Sequence, residues 1–186
     1  ELINNNTDMI MTAHISYPQV EPSTYITEGG EELYLPATLS ETIITGLLRE
    51  EMGFDGVVIT DAMNMGAITA HFNQLEAATL AINAGVDMIL MPVNTNSATG
   101  INNFKTYINN VAALVRNGTI DSNKVDAAVR RILALKNKRG LLEEYNVNID
   151  EKVANALNVV STVENHNVEF EIAKKAITML KNENNT

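Results

Sequence analysis

Gly53-Phe54-Asp55-Gly56-Val57-Val58-Ile59-Thr60-Asp61-Ala62-Met63-Asn64-Met65-Gly66 is the stretch that decides the fold. Gly53 closes a helical pattern. Asp55-Gly56 is turn chemistry, because Asp tolerates the left-handed backbone and Gly adopts it freely. Val57-Val58-Ile59 is a short β-branched run, suited to a strand covered on both faces in a parallel sheet. The run stops at Thr60-Asp61. In parallel α/β proteins the carboxyl ends of strands carry ligands and chemistry. Asp61 therefore has two readings: a catalytic carboxylate, or a cap on the next helix.

The same unit recurs on either side. Met9-Ile10-Met11-Thr12-Ala13 reads as a strand ending at His14, and Pro18 bars its continuation. Asp87-Met88-Ile89-Leu90-Met91 reads as a third strand, stopped by Pro92. Asp87 lies at the opposite end of its strand from Asp61 and reads as structural. Residues 18–37, broken by Pro22, Gly29, Gly30 and Pro36, read as a long irregular segment: the rim of a site or a surface loop. His14 has its own pair of readings, a donor lining a pocket or a histidine satisfied by backbone.

Helices fill the intervals. Ser40 is the expected N-cap of one whose apolar face is Ile43, Ile44, Leu47, Leu48 and Met52. Asn73-Gln74-Leu75-Glu76 reads as a capping box for a helix ending at Gly85. Phe104, Ile108, Val111, Leu114 and Val115 mark a third. Asp121 or Ser122 begins a fourth, whose basic end (Arg130, Arg131, Lys136, Lys138, Arg139) complements the helix dipole. Residues 141–149 read as irregular, Asp150 as the cap of a short helix to Leu157, 168–179 as a final helix, and 181–186 as a polar linker. Three βα units do not close a domain. Open sheet edges are a liability, so the chain either belongs to a larger domain or covers its open side with another copy.

Composition narrows the function. The 186 residues carry a formal net charge of -10, which argues against a nucleic-acid surface and against an anionic membrane. There is no Cys, hence no disulfide frame and no thiol zinc site, and slightly better agreement with an exported protein. No apolar run approaches the ~20 residues of a membrane span. The chain begins at Glu1 rather than Met, so its start is silent on export.

Several stretches together resemble family 3 glycoside hydrolases. They are Met11-Thr12-Ala13-His14, Pro36-Ala37-Thr38-Leu39-Ser40, the run from Leu47-Leu48-Arg49 through Asp61-Ala62-Met63-Asn64-Met65, Ala84-Gly85-Val86-Asp87, and Ala127-Ala128-Val129-Arg130-Arg131. Within the family they look most like the bacterial β-N-acetylglucosaminidase (β-hexosaminidase) branch. Lys175-Ala176-Ile177-Thr178 looks like the lead into a second domain. The resemblance implies an α/β fold, the C-terminal part of a (β/α)8 TIM barrel with about three parallel strands followed by trailing helices. Residues 1–145 would be barrel, and 146–186 trailing helices and the start of a linker.

The resemblance also implies chemistry. Asp61 falls on the family's catalytic nucleophile, His14 on the rim of the same pocket as a substrate contact, and Met63, Asn64 and Met65 on the loop beside it. The substrate would be a carbohydrate, with no metal and no organic cofactor. The branch's acid/base is an Asp-His pair on another loop. None of the three histidines, His14, His71 and His166, stands in an Asp-x-His context. The chain is therefore expected to hold the nucleophile without its acid/base partner and to be inactive by itself. Two function classes follow: part of a retaining exo-glycosidase acting on terminal β-linked N-acetylglucosamine, as in peptidoglycan fragments, or a non-catalytic half-barrel scaffold that self-associates through its open edge. A β-glucosidase or β-xylosidase preference, or a barrel enzyme using Asp61 as a base, are further alternatives. The two-domain forms it resembles point to an exported or wall-associated protein.

Overall fold

A computed structural model describes residues 3–143 and 148–178. The chain divides into two compact units, Glu1–Leu142 and Glu143–Thr186. The first holds strands β1 (Met9–Met11), β2 (Thr24–Ile26), β3 (Glu32–Tyr34) and β4 (Val57–Ile59). It also holds a π-helix (Thr42–Glu51) and helices α1 (Gly66–Thr69), α2 (Gln74–Ala84), α3 (Ala98–Arg116) and α4 (Ser122–Lys138).

β1 and β4 pair in parallel, with Met9 opposite Val57 and Met11 opposite Ile59. Burial of Val57 and Val58 drives this pairing, each worth about 1.5–3 kcal/mol. The third predicted strand is shorter than expected. A single parallel bridge joins Ile59 to Met88. Beyond it Met91 takes a left-handed backbone, φ 49°, and Pro92 offers no N–H, so the ladder ends. Residues 18–37 are more ordered than predicted: β2 and β3 form an antiparallel hairpin, Tyr25 opposite Leu33. Its turn is made at Gly30, φ 84°.

The helix after Ser40 is a π-helix, closed by Met52 N–H donating to Leu47 O at 2.9 Å. Ser40 serves its start, since its hydroxyl accepts from Ile43 N–H at 3.2 Å. Thr45 and Arg49 then both reach the C-terminal end of α2, at Ala84 O and Gly85 O. Asn73 caps α2 as predicted, accepting from Leu75 and Glu76 N–H. The capping box is only half formed. The buried Glu76 carboxylate turns to the hairpin instead, accepting from Glu28 N–H at 2.7 Å and the Tyr25 hydroxyl at 3.3 Å. The alanines of α2, Ala77, Ala81 and Ala84, let it pack closely on Val58, Ile44, Leu39 and Phe72.

Asp87 is structural, as its position indicated. Its carboxylate is fully buried and accepts from Arg49, Arg131 and the backbone N–H of Val58, each at 2.8 Å. The basic end of α4 thus does more than complement the dipole: Arg131 holds Asp87, and Lys138 and Arg139 hold Asp8.

The second unit contains α5 (Ile149–Val159) and α6 (Val163–Ala176). Asn148, rather than Asp150, caps α5, accepting from Glu151 N–H. α6 begins five residues earlier than predicted, because the hydroxyl of Thr162 caps Asn165 N–H. The predicted linker at 181–186, the predicted helix end at Met179 and part of the irregular stretch at 141–149 lie outside the described residues. No helix among the described residues is long and apolar enough to cross a membrane.

Candidate active site

The carboxyl ends of β1 and β4 lie side by side, and both carry residues singled out by the sequence. Thr12 N–H donates to Ile59 O at 2.9 Å, extending the parallel ladder by one step. Across β4, Thr60 is fully buried. Its N–H donates to Met88 O at 3.0 Å and its hydroxyl accepts from Leu90 N–H at 2.9 Å. Met63 N–H donates to Leu90 O at 2.9 Å. The segment between Thr60 and Met63 is therefore tied to the third strand at both ends, and Asp61 stands between the ties.

Asp61 is half-buried, and its Oδ1 accepts from the N–H of Ala62 at 2.7 Å. Oδ2 has no protein partner among the described residues. The helix that follows starts at Gly66, and its N-cap position is Met65, with no side-chain cap. Asp61 does not cap it. The carboxylate is thus presented at a strand end without being consumed by local structure, the arrangement expected of a nucleophile or base.

His14 sits next to it. Its Nε2 faces Ala62 O at 3.1 Å, and its Nδ1 lies 2.9 Å from Thr38 Oγ1. A carbonyl only accepts, so Nε2 carries its hydrogen. Both nitrogens are engaged by the protein, and one engages the residue next to Asp61. Met63 is buried in the core cluster, while Asn64 and Met65 are exposed on the loop. His71 and His166 lie elsewhere, exposed, each against a glutamate: Glu31 and Glu169.

Three contributors, Thr12, Thr38 and Glu21, were assigned no site role by the sequence reading. Thr38 and Thr12 are buried, their hydroxyls 2.8 Å apart, and Thr38 Oγ1 also lies 3.0 Å from Ala13 O, so its one hydrogen is shared between that carbonyl and His14 Nδ1. The only hint was a polar residue between the apolar Ala37 and Leu39. Glu21 was the other surprise. It is buried, and its carboxylate accepts from the hydroxyl of Ser40 and from Ser23 N–H, anchoring the loop after β1 to the start of the π-helix. The Thr42 hydroxyl, then those of Ser40 and Ser23, hold its carboxyl below the usual range against the opposing effect of burial. Among the described residues no three His, Asp or Glu side chains converge as a metal site would require.

A parallel sheet, helical crossovers and a half-buried carboxylate at the carboxyl end of a central strand are the features of the ligand end of a barrel-type α/β fold. The chain belongs to glycoside hydrolase family 3: residues 1–135 match the Glycosyl hydrolase family 3 N terminal domain. It is 35% identical over 94% of its length to the Beta-hexosaminidase A of Pseudoalteromonas piscicida, and covers 28% of that protein. It is 34% identical over 81% of its length to a Beta-xylosidase of Formosa agariphila, covering 20% of it. Its structure superposes on a family 3 beta-N-acetylglucosaminidase from Paenibacillus sp. str. FPU-7 with a TM-score of 0.63 and 36% identity, over 78% of this chain and 25% of that one. The chain thus spans about a quarter of the length of these relatives, and its fold is part of the family's (β/α)8 barrel.

Proposed function

We propose that the chain forms part of a retaining exo-glycosidase that removes terminal β-linked N-acetylglucosamine, with Asp61 as nucleophile. The observation that carries this is the carboxylate itself: at the end of a central strand, fixed through Oδ1 by Ala62 N–H, with Oδ2 unpartnered among the described residues. In such a reaction Oδ2 bonds to the anomeric carbon as the bond to the leaving oxygen breaks. A separate acid protonates that oxygen, and water then hydrolyses the glycosyl-enzyme. The acid is proposed to come from chain outside these 186 residues, so the chain alone is expected to be inactive. The names of several relatives support the hexosamine preference. The Beta-xylosidase and the Beta-N-acetylglucosaminidase/beta-glucosidase of Cellulomonas fimi among them keep a pentose or glucose preference as the second reading. Peptidoglycan fragments fit as substrates, and an exported or wall-associated location fits with them.

The test is intact mass and peptide mapping after incubation with a 2-fluoro N-acetylglucosaminyl-type label, on this chain and on the longer protein that carries it. Label on Asp61 in the longer protein is the expected result. Label at another carboxylate, with hydrolysis intact, would sink the assignment.

A further inference from the structure

We propose that Thr60 is a positioning residue for Asp61, its hydroxyl standing in for its own carbonyl in the ladder to the third strand; this rests on Asp61 being the nucleophile. A parallel ladder has a fixed order of bonds. Met88 N–H donates to Val58 O at 3.1 Å, and Thr60 N–H donates to Met88 O at 3.0 Å. The next bond in that order would run from Leu90 N–H to Thr60 O. Leu90 N–H goes instead to Thr60 Oγ1, at 2.9 Å. The side chain has taken the donor that the main chain would use, and Thr60 O has no hydrogen-bond partner among the described residues.

This exchange acts directly on the peptide that carries Asp61. The Thr60 carbonyl and the Asp61 N–H share one peptide plane, so the direction of the carbonyl sets the course of the backbone into Asp61. The planes before and after are each held from two sides. Ile59 O accepts from Thr12 N–H, while Thr60 N–H, in the same plane, donates to Met88 O. Ala62 O accepts from His14 Nε2, while Met63 N–H, in the same plane, donates to Leu90 O. The plane between Asp61 and Ala62 is tied to the carboxylate itself, Ala62 N–H donating to Oδ1. The plane between Thr60 and Asp61 has no hydrogen bond of its own among the described residues. It stays out of the ladder because Leu90 N–H is already satisfied by the fully buried Thr60 side chain. Without that hydroxyl, Leu90 N–H requires another acceptor, and Thr60 O is the next in line. The plane then swings toward the third strand and takes Asp61 with it. A misplacement of the nucleophile by about 1 Å can cost on the order of a hundredfold in rate.

The experiment uses the longer protein that carries this chain and an aryl β-N-acetylglucosaminide, with rates expressed per site titrated by the 2-fluoro label. Thr60→Val keeps the shape and removes the acceptor. It is expected to lower kcat by roughly ten- to a hundredfold with KM within about twofold, because the reacting group is displaced. Thr60→Ser returns the oxygen and restores kcat to within about threefold. A crystal structure of the Val form should show Leu90 N–H on the carbonyl of residue 60. Wild-type kcat in Thr60→Val, a change in KM alone, no rescue by Ser, or an unmoved peptide overturns the proposal. Should the Val form not fold, Thr60→Cys retains the volume with a weak acceptor and must show the same kcat-dominated loss. Asp61→Gly with added azide separates the two ideas. Formation of the α-glycosyl azide confirms the nucleophile, so a normal Thr60→Val then refutes only the positioning. Full hydrolysis by Asp61→Gly without azide refutes the nucleophile itself and the positioning with it.

Discussion

At Gly56 there is no room for a side chain. A Cβ there would stand 2.7 Å from Asp8 O and 2.6 Å from the ring of Phe54. The glycine is required by close approach of β4 to the chain before β1, and not by a left-handed turn as its pairing with Asp55 indicated; the left-handed residue is Gly53, φ 71°. Gly56→Ala is expected to cost about 1–3 kcal/mol, read as a lower urea midpoint at unchanged slope. Tyr107 offers the opposite case. Its buried hydroxyl has no hydrogen-bond partner among the described residues, and burial pushes its phenol up to about 12. Tyr107→Phe removes an unsatisfied group without changing shape and is expected to be neutral or stabilising by up to about 1 kcal/mol in the same titration. Ultraviolet difference titration should show one tyrosine ionising only near pH 12, absent in the Phe form.

Between elements, the buried Asp87 joins β4, the π-helix and α4 through Val58, Arg49 and Arg131. Burial holds the Arg49 guanidinium below its usual pKa, and the facing Asp87 opposes that shift. Removing one partner of such a cluster strands the others. Asp87→Ala is expected to cost about 3–5 kcal/mol, measured as loss of midpoint in chemical denaturation. A cost under about 1 kcal/mol would mean the two arginines find water instead. Glu21 sets an acid limb. Its carboxyl is depressed in the folded chain, so it contributes stability above the ordinary glutamate value of about 4.3 and loses it as pH falls through the lower folded value. Glu21→Gln should therefore flatten the fall in melting temperature below about pH 4.3 relative to wild type. An identical acid limb in both proteins would remove Glu21 from the loop's anchoring.

For the chain as a whole, β1 pairs on one side only among the described residues, and Met11 beside that edge is 54% exposed. An unpaired strand edge with apolar side chains invites pairing with another copy. The chain on its own is expected to associate with rising concentration in sedimentation velocity, and Met11→Lys to reduce that association. A monomer at all concentrations would show that the edge is protected in another way.

The local pattern of residues determined the parallel strands at Met9 and Val57, the glycine stops at Gly53 and Gly85, the N-cap at Asn73, and Asp61 at a strand end; between Asp121 and Ser122 as the start of α4, the structure chose Asp121 as cap. These depend on turn chemistry, propensity and apolar runs, which are local properties. The hairpin within 18–37 pairs residues six to ten apart, but the brevity of the third strand, the reach of Glu76 to Glu28 and the Thr38–His14–Ala62 contacts depend on partners between 24 and 48 residues away. No local pattern specifies such pairs, because a buried hydroxyl or carboxylate takes whatever donor the packed chain brings within about 3 Å. Sequence thus placed the carboxylate, and only the tertiary structure decided which elements pack around it.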